Sequence, residues 1–199
     1  MANKRMLICL DGTGNDPSAA AQKVDKDGKA EDDNISNVLK LHLLAGGRLD
    51  NAQLSASQQS YYYSGVGTRG SIFRRTLAKG FAKLDPKLIR NHAYDDLCGH
   101  YEPGDELFIF GFSRGAAIAR MLAVQISRDG VVVRGHRHEA NIKMLGVWDT
   151  VAAFGKPNLD DSENPVSDVV FEDGTIAKNI EQAYHLAAVD ETRLAFRPT

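Results

Sequence analysis

Residues 107–116 read Leu-Phe-Ile-Phe-Gly-Phe-Ser-Arg-Gly-Ala, and no other stretch restricts the possible folds as much. The apolar run Leu107 to Phe110 has strand character and passes without a spacer into Gly111-Phe112-Ser113-Arg114-Gly115. The residues that follow, Ala116-Ala117-Ile118-Ala119-Arg120-Met121-Leu122-Ala123, read as a helix whose small residues let it lie close to a sheet. G-x-S-x-G between a strand and a helix is the pattern of an elbow that presents a serine hydroxyl at the sheet edge. The glycines flanking the serine remove side chains that would collide in so tight a turn. The start of the helix supplies free N–H groups and a positive dipole end beside the serine. Ser113 is therefore the candidate nucleophile, and the backbone N–H of Arg114 is the first candidate oxyanion donor. An idle serine in a glycine-bounded turn would carry the same letters, and the strand-turn-helix context favours the elbow over it.

Similar alternation runs along the chain. Arg5 to Leu10 predicts a buried strand that ends in the turn Asp11-Gly12-Thr13-Gly14-Asn15. Asp16 to Asp33 is polar and predicts a surface loop. Asn34 caps a helix carrying Ile35, Val38, Leu39 and Leu41 to Leu44, which Gly46-Gly47 stops. Ser57 to Tyr63 predicts a strand, Ser64 to Gly70 a loop and Pro86 to Tyr101 a helix. Ile142 to Trp148 predicts another buried strand with Asp149-Thr150 at its end; residues 155–175 are polar and turn-rich. Ile180 to Val189 starts with helical spacing and ends with strand character. Strands alternating with helices predict an α/β domain around a mostly parallel sheet, with residues 1–199 as one such domain. In sheets of that kind function collects at the carboxyl ends of the strands. Three turns rich in chemistry fall there: Asp11 to Asn15, Ser113 and Asp149.

Composition sets the boundaries of function. The 199 residues allow a substantial core, and 43% hydrophobic with 25% charged residues is ordinary for a globular chain. A net charge of −2 gives no electrostatic footprint for nucleic acid. Two cysteines, Cys9 and Cys98, make neither a disulfide framework nor a zinc site, and predict cytoplasmic synthesis. The first apolar run is too short for a signal-peptide core, and no stretch approaches a transmembrane length. Export would need a route that reads no N-terminal signal.

Serine is a weak nucleophile until a base takes its proton, and the base is usually a histidine oriented by a carboxylate. Asp149 ends the strand after the elbow, where an acid can point into a site; a capping or turn aspartate is its other reading. Gly12 or Thr13 in the first turn could give the second oxyanion N–H. That turn lacks both the Walker lysine and G-x-G-x-x-G, which argues against a nucleotide cradle. His185 alone among the six histidines follows Asp149, so it alone satisfies a serine–acid–histidine order. His136 and His138 have no evident third ligand apart from nearby Glu139 and read as a solvated loop; no metal site is assigned. His42, His92 and His100 read as surface or packing residues. Ester hydrolysis by such a site needs no cofactor.

The ordered set Leu10-Asp11-Gly12-Thr13-Gly14-Asn15, Asn34 to Val38, Tyr61 to Thr68, Pro103-Gly104-Asp105, Gly111 to Ala116, Val147 to Val151 and His185 to Arg193 carries a resemblance. Together these motifs resemble the uncharacterised α/β-hydrolase domain family that includes type VI secretion phospholipase effectors. The resemblance spans residues 5–199. It implies an α/β-hydrolase-like fold and a serine esterase or lipase with phospholipid substrates. It maps the nucleophile to Ser113 and the acid to Asp149, and implies export independent of a signal peptide with a secretion or immunity partner. The family's histidine lies in a Gly-x-His-x-Asp-Val-Gly-Gly segment after the stretch matching Phe196 and Pro198. No such segment precedes Thr199. The expectation is therefore that the part of the domain carrying the histidine is missing from this sequence, that the domain is an inactive binding module, or that His185 serves as the fallback base.

Residues 69–90 combine Arg69, Arg74, Arg75, Lys79, Lys83, Lys87 and Arg90 with Phe73, Leu77, Phe81 and Leu84 at helical spacing. Such a helix can lie on anionic lipid or cover a lipase-like pocket. An ordinary surface helix with a solvated basic face shows the same pattern.

Overall fold

The computed structural model describes residues 3–15, 17, 21–24, 26–27, 30–33, 35–65, 86–151 and 176–190. Its elements, in chain order, are β1 (Arg5–Leu10), β2 (Ala21–Val24), β3 (Ala30–Asp33), α1 (Asn37–Leu44), β4 (Gln58–Tyr63) and α2 (Pro86–His100). They continue with β5 (Glu106–Phe112), α3 (Arg114–Asp129), β6 (Val131–Val133), β7 (His136–His138), β8 (Ile142–Trp148) and β9 (Ala183–Leu186).

Among the described residues, five strands form one sheet in the order β4-β1-β5-β8-β9, every neighbouring pair parallel. β1 and β5 lie inside this sheet, and their near-continuous apolar sequences follow from burial on both faces. Alternate residues go to opposite sides. Met6, Ile8, Leu10, Leu107, Ile109, Leu145 and Val147 meet α2 and α3 in one core. Leu7, Cys9, Tyr62 and Phe110 meet Val38 and Leu39 of α1 in the other. The result is the expected α/β sandwich with a mostly parallel sheet.

Strand order decides where the site sits. From β1 the chain moves outward to β4, then returns past β1 to β5 and on to β8 and β9. The direction of winding reverses between β1 and β5, which opens a crevice at their carboxyl ends. The turn after β1 and the elbow after β5 face that crevice.

The structure departs from the sequence reading in several places. Residues 16–33 are not simply a loop: β2 and β3 pair as an antiparallel hairpin, which their polar composition hid. The N-cap of α1 is Ser36, whose side chain accepts the Leu39 N–H, while Asn34 lies outside the described residues. Ile180 begins no helix. It bridges Ile142, and β9 follows, because pairing with β8 overrides a short helical pattern. The readings for most of 69–90, for 155–175 and for 191–199 fall outside the described residues. No described helix is long and apolar enough to cross a membrane.

Candidate active site

Ser113 has φ 56° and ψ −122°, in a turn between β5 and α3. Its side chain makes no capping hydrogen bond, so the hydroxyl is not spent on the helix it precedes. The two motif glycines have different tasks. A Cβ on Gly111 would stand 2.6 Å from the Ala116 Cα. A Cβ on Gly115 would stand 2.3 Å and 2.4 Å from the carbonyl oxygens of Leu10 and Asp11. The first lets the helix fold back on the strand, and the second lets it dock on the end of β1. Ala116 and Ala117 N–H both return to the Ser113 carbonyl, at 3.0 and 3.4 Å. The first N–H groups of a helix have no intrahelical acceptor, which leaves Arg114 N–H for a ligand.

The acid turn is clipped to this elbow. Ser113 N–H donates to the Trp148 carbonyl at 2.8 Å, and Val151 N–H donates to the Ser113 carbonyl at 3.2 Å. Between these anchors lies Asp149, itself at φ 46°. The non-glycine residues with positive φ among those described are Asn51, Ser113, Arg134 and Asp149. Two of them are thus the candidate nucleophile and acid, where strain most often accompanies function. Asp149 N–H donates to the Leu186 carbonyl at 2.9 Å, and its Oδ1 accepts the Ala188 N–H.

His185 lies opposite Val147 in the β8–β9 register. Its Nε2 accepts from Thr150 N–H at 3.4 Å, which assigns the neutral tautomer with the proton on Nδ1. Burial pushes its pKa below the ordinary value, the Arg120 guanidinium adds to this, and the Asp149 carboxylate opposes it. The structure thus gathers Ser113, Asp149 and His185 at one end of the sheet. Among the described residues His185 is hydrogen-bonded to the acid turn and not to Ser113.

The first turn forms the other wall. A Cβ on Gly12 would lie 3.1 Å from Ser113 Cβ, and one on Gly65 would lie 1.8 Å from the Gly12 carbonyl oxygen. Gly12 N–H is already engaged, donating to Asp11 Oδ1 at 2.7 Å. Of the two residues considered for the second oxyanion donor, this leaves Thr13, which is exposed. Asp11, Ser36 and Tyr62, to which the sequence alone gives no role, meet behind this turn. Tyr62 was visible in the tyrosine run 61–63, but only the fold shows which of those tyrosines points toward Asp11.

The remaining histidines separate from the site. His42, in the last turn of α1, is buried, with Nδ1 accepting from Ser60 Oγ at 2.8 Å and Nε2–H donating to the Arg48 carbonyl at 3.0 Å. His92 stands 3.7 Å from Asp96, and His100 Nδ1 meets the Asp96 carbonyl. His136 and His138 occupy the β6–β7 hairpin in place of the expected loop. Among the described residues no three His, Cys, Asp or Glu side chains cluster as metal ligands would.

Known proteins resemble this chain in sequence and in fold. Residues 4–141 and 133–199 match the family model described as T6SS, Phospholipase effector Tle1-like, catalytic domain. An uncharacterised protein of Saccharomyces cerevisiae is 32% identical over 146 residues, covering 67% of this chain and 19% of that protein. An uncharacterised protein from Pseudomonas aeruginosa superposes with a TM-score of 0.50 at 21% identity, covering 98% of this chain and 36% of the other. The Tle1 effector, solved bound to the VgrG spike from the type 6 secretion system, superposes with a TM-score of 0.52 at 17% identity, over 98% of this chain and 47% of the other. The chain thus spans about a fifth of the curated relative, and less than half of each of these solved structures, with which it shares the fold.

Proposed function

The chain belongs to the Tle1-like phospholipase effector catalytic domain family, and from that premise we propose that it is a serine-dependent ester hydrolase of the lipase or phospholipase type. The observation that carries this reading is Ser113: a strained serine with an uncommitted hydroxyl, at the switch point of a parallel sheet, clipped to a turn holding a carboxylate. Ser113 Oγ attacks the ester carbonyl. An imidazole takes its proton and later returns it to the leaving alcohol. Asp149 orients that imidazole and stabilises its cation. Arg114 and Thr13 N–H hold the oxyanion; displacing such a donor typically costs about 10²–10³ in rate. Water then attacks the acyl-serine by the same route.

The proposal extends to one domain over residues 1–199, to phospholipid esters as substrate, and to a membrane surface met through residues 69–90. It also includes delivery by a secretion apparatus that reads no signal peptide, with a secretion or immunity partner. The Tle1 effector's complex with a VgrG spike supports that last element by analogy. His185 is the base that this chain offers.

A second reading, a hydrolase fold used only for binding, is favoured by one contact: His185 Nε2 turned to Thr150 N–H. A fluorophosphonate probe separates the two. Labelling of the purified protein, lost in Ser113→Ala, is the expected result. A cooperatively folded wild type that does not label shows that this chain by itself holds no working base, and removes His185 from that role. Loss in His185→Ala as well would identify the base.

A further inference from the structure

Asp11 directly follows β1 and is only 1% exposed. Oδ1 accepts from Gly12 N–H at 2.7 Å and Asn15 Nδ2 at 2.9 Å. Oδ2 accepts from Ser36 Oγ and Tyr62 Oη, each at 2.6 Å. A carboxylate offers about four acceptor positions, and here all are used. No lone pair remains to orient an imidazole, so Asp11 does not compete with Asp149 for the acid's role.

The four donors come from separate parts of the fold. Gly12 and Asn15 belong to the turn itself. Ser36 is the N-cap of α1, and its Oγ accepts Leu39 N–H at 3.0 Å while it donates to Asp11. Tyr62 belongs to β4. One buried anion therefore ties the turn to the helix on one side of the sheet and to the neighbouring strand. On its far side the turn presses on the elbow, with the Asp11 carbonyl against Gly115 and Gly12 against Ser113. Gly65 leaves the Gly12 carbonyl no room to retreat.

We propose that Asp11 is the positioning residue of the oxyanion hole. It occupies the Gly12 N–H and holds the Gly12–Thr13 peptide against Ser113, so that Thr13 and Arg114 are the two N–H donors. The inference rests on the serine-hydrolase reading above. Asp11 touches no substrate; it acts through the turn it builds. The four short bonds also disperse its charge, which would otherwise repel an oxyanion forming nearby.

The test is active-site titration with a fluorophosphonate, followed by kcat and KM on a p-nitrophenyl acyl ester, for the full protein. Asp11→Asn keeps the size but weakens the network. The expected result is a loss of about 10–100-fold in kcat per titrated site. KM should stay within about threefold, as befits an interaction made only in the transition state. The pH midpoint of kcat should stay put, since acid and base are untouched. A purely structural Asp11 would lower the number of titratable sites and leave kcat per site at the wild-type value, and that outcome overturns the proposal. Should Asp11→Asn yield no folded sites, Tyr62→Phe decides: an expected loss of about 3–10-fold per site for one donor removed supports it, and an unchanged kcat per site refutes it. A folded wild type with no titratable site overturns the hydrolase reading for this chain, and this inference falls with it.

Discussion

Ser113 holds φ 56° and ψ −122°, a conformation that costs a residue with a Cβ about 1–3 kcal/mol. Glycine adopts it freely but loses more chain entropy on folding, about 0.5–1 kcal/mol. Ser113→Gly is therefore expected to exceed Ser113→Ala in stability by about 1 kcal/mol in urea melts, although neither will label. Equal melts would show that the elbow stores no strain. His42 gives the pH dependence at this scale. Burial pushes its pKa below the ordinary value, and the hydrogen bond to the Arg48 carbonyl only partly opposes this. A base whose folded pKa is lowered contributes fully above its unfolded value, about 6.5, and its contribution is lost as pH falls through the lowered folded value. His185 shifts in the same direction, so the comparison belongs in a His185→Ala background. There, stability should fall on acidification from about pH 7 to pH 5, and His42→Gln should flatten that slope. Parallel slopes would refute the assignment. From sequence alone His42 is no more than a surface or packing residue, because nothing along the chain shows that Ser60 and the Arg48 carbonyl converge on its ring.

At the scale of elements, α3 owes its position to small residues on the face that meets the sheet. Gly115, Ala116, Ala117 and Ala119 are buried there. Gly115→Ala drives a methyl into two backbone carbonyl oxygens of the β1 terminus, which can yield only if the helix lifts. The expected cost is about 1–3 kcal/mol, and labelling by a fluorophosphonate should be lost with the elbow geometry. Gly99, near the end of α2, has nothing within 4 Å of its added Cβ. Gly99→Ala should stabilise by about 0.5 kcal/mol through helix propensity. A thermal melt of the pair checks both signs; matching effects would mean that close docking of α3 is not what Gly115 provides. These elements were largely legible in advance. The strands 5–10 and 142–148 and the helix from Pro86 follow from apolar runs and breakers, which act locally. The β2–β3 hairpin was not legible, and β9 only as strand character at the end of 180–189, since what makes them strands is a partner elsewhere in the chain.

For the molecule as a whole, the two ends of the sheet have divided roles. At the amino ends of the strands Lys4 and Asp105 form a buried ion pair, and Asp105 also accepts Lys4 N–H at 3.0 Å and Glu102 N–H at 2.8 Å. Lys4→Met leaves that carboxylate buried without its cation, at an expected cost of about 3 kcal/mol, measurable by urea denaturation. Because the candidate site lies at the opposite ends of the strands, kcat per titrated site should stay at the wild-type value; a fall would show that the two ends are coupled. The amino-acid order by itself determined the strand–turn–helix at Ser113, the α/β class, and the three turns that carry the chemistry, because strand runs, glycine turns and helical spacing are properties of neighbouring residues. Only the tertiary structure decided the strand order that opens a crevice between β1 and β5, the clip between Ser113 and the Asp149 turn, the turning of His185 Nε2 to Thr150, and the four bonds on Asp11. Each of those depends on groups far apart in sequence, brought within hydrogen-bond reach by burial of the two cores on either side of the sheet.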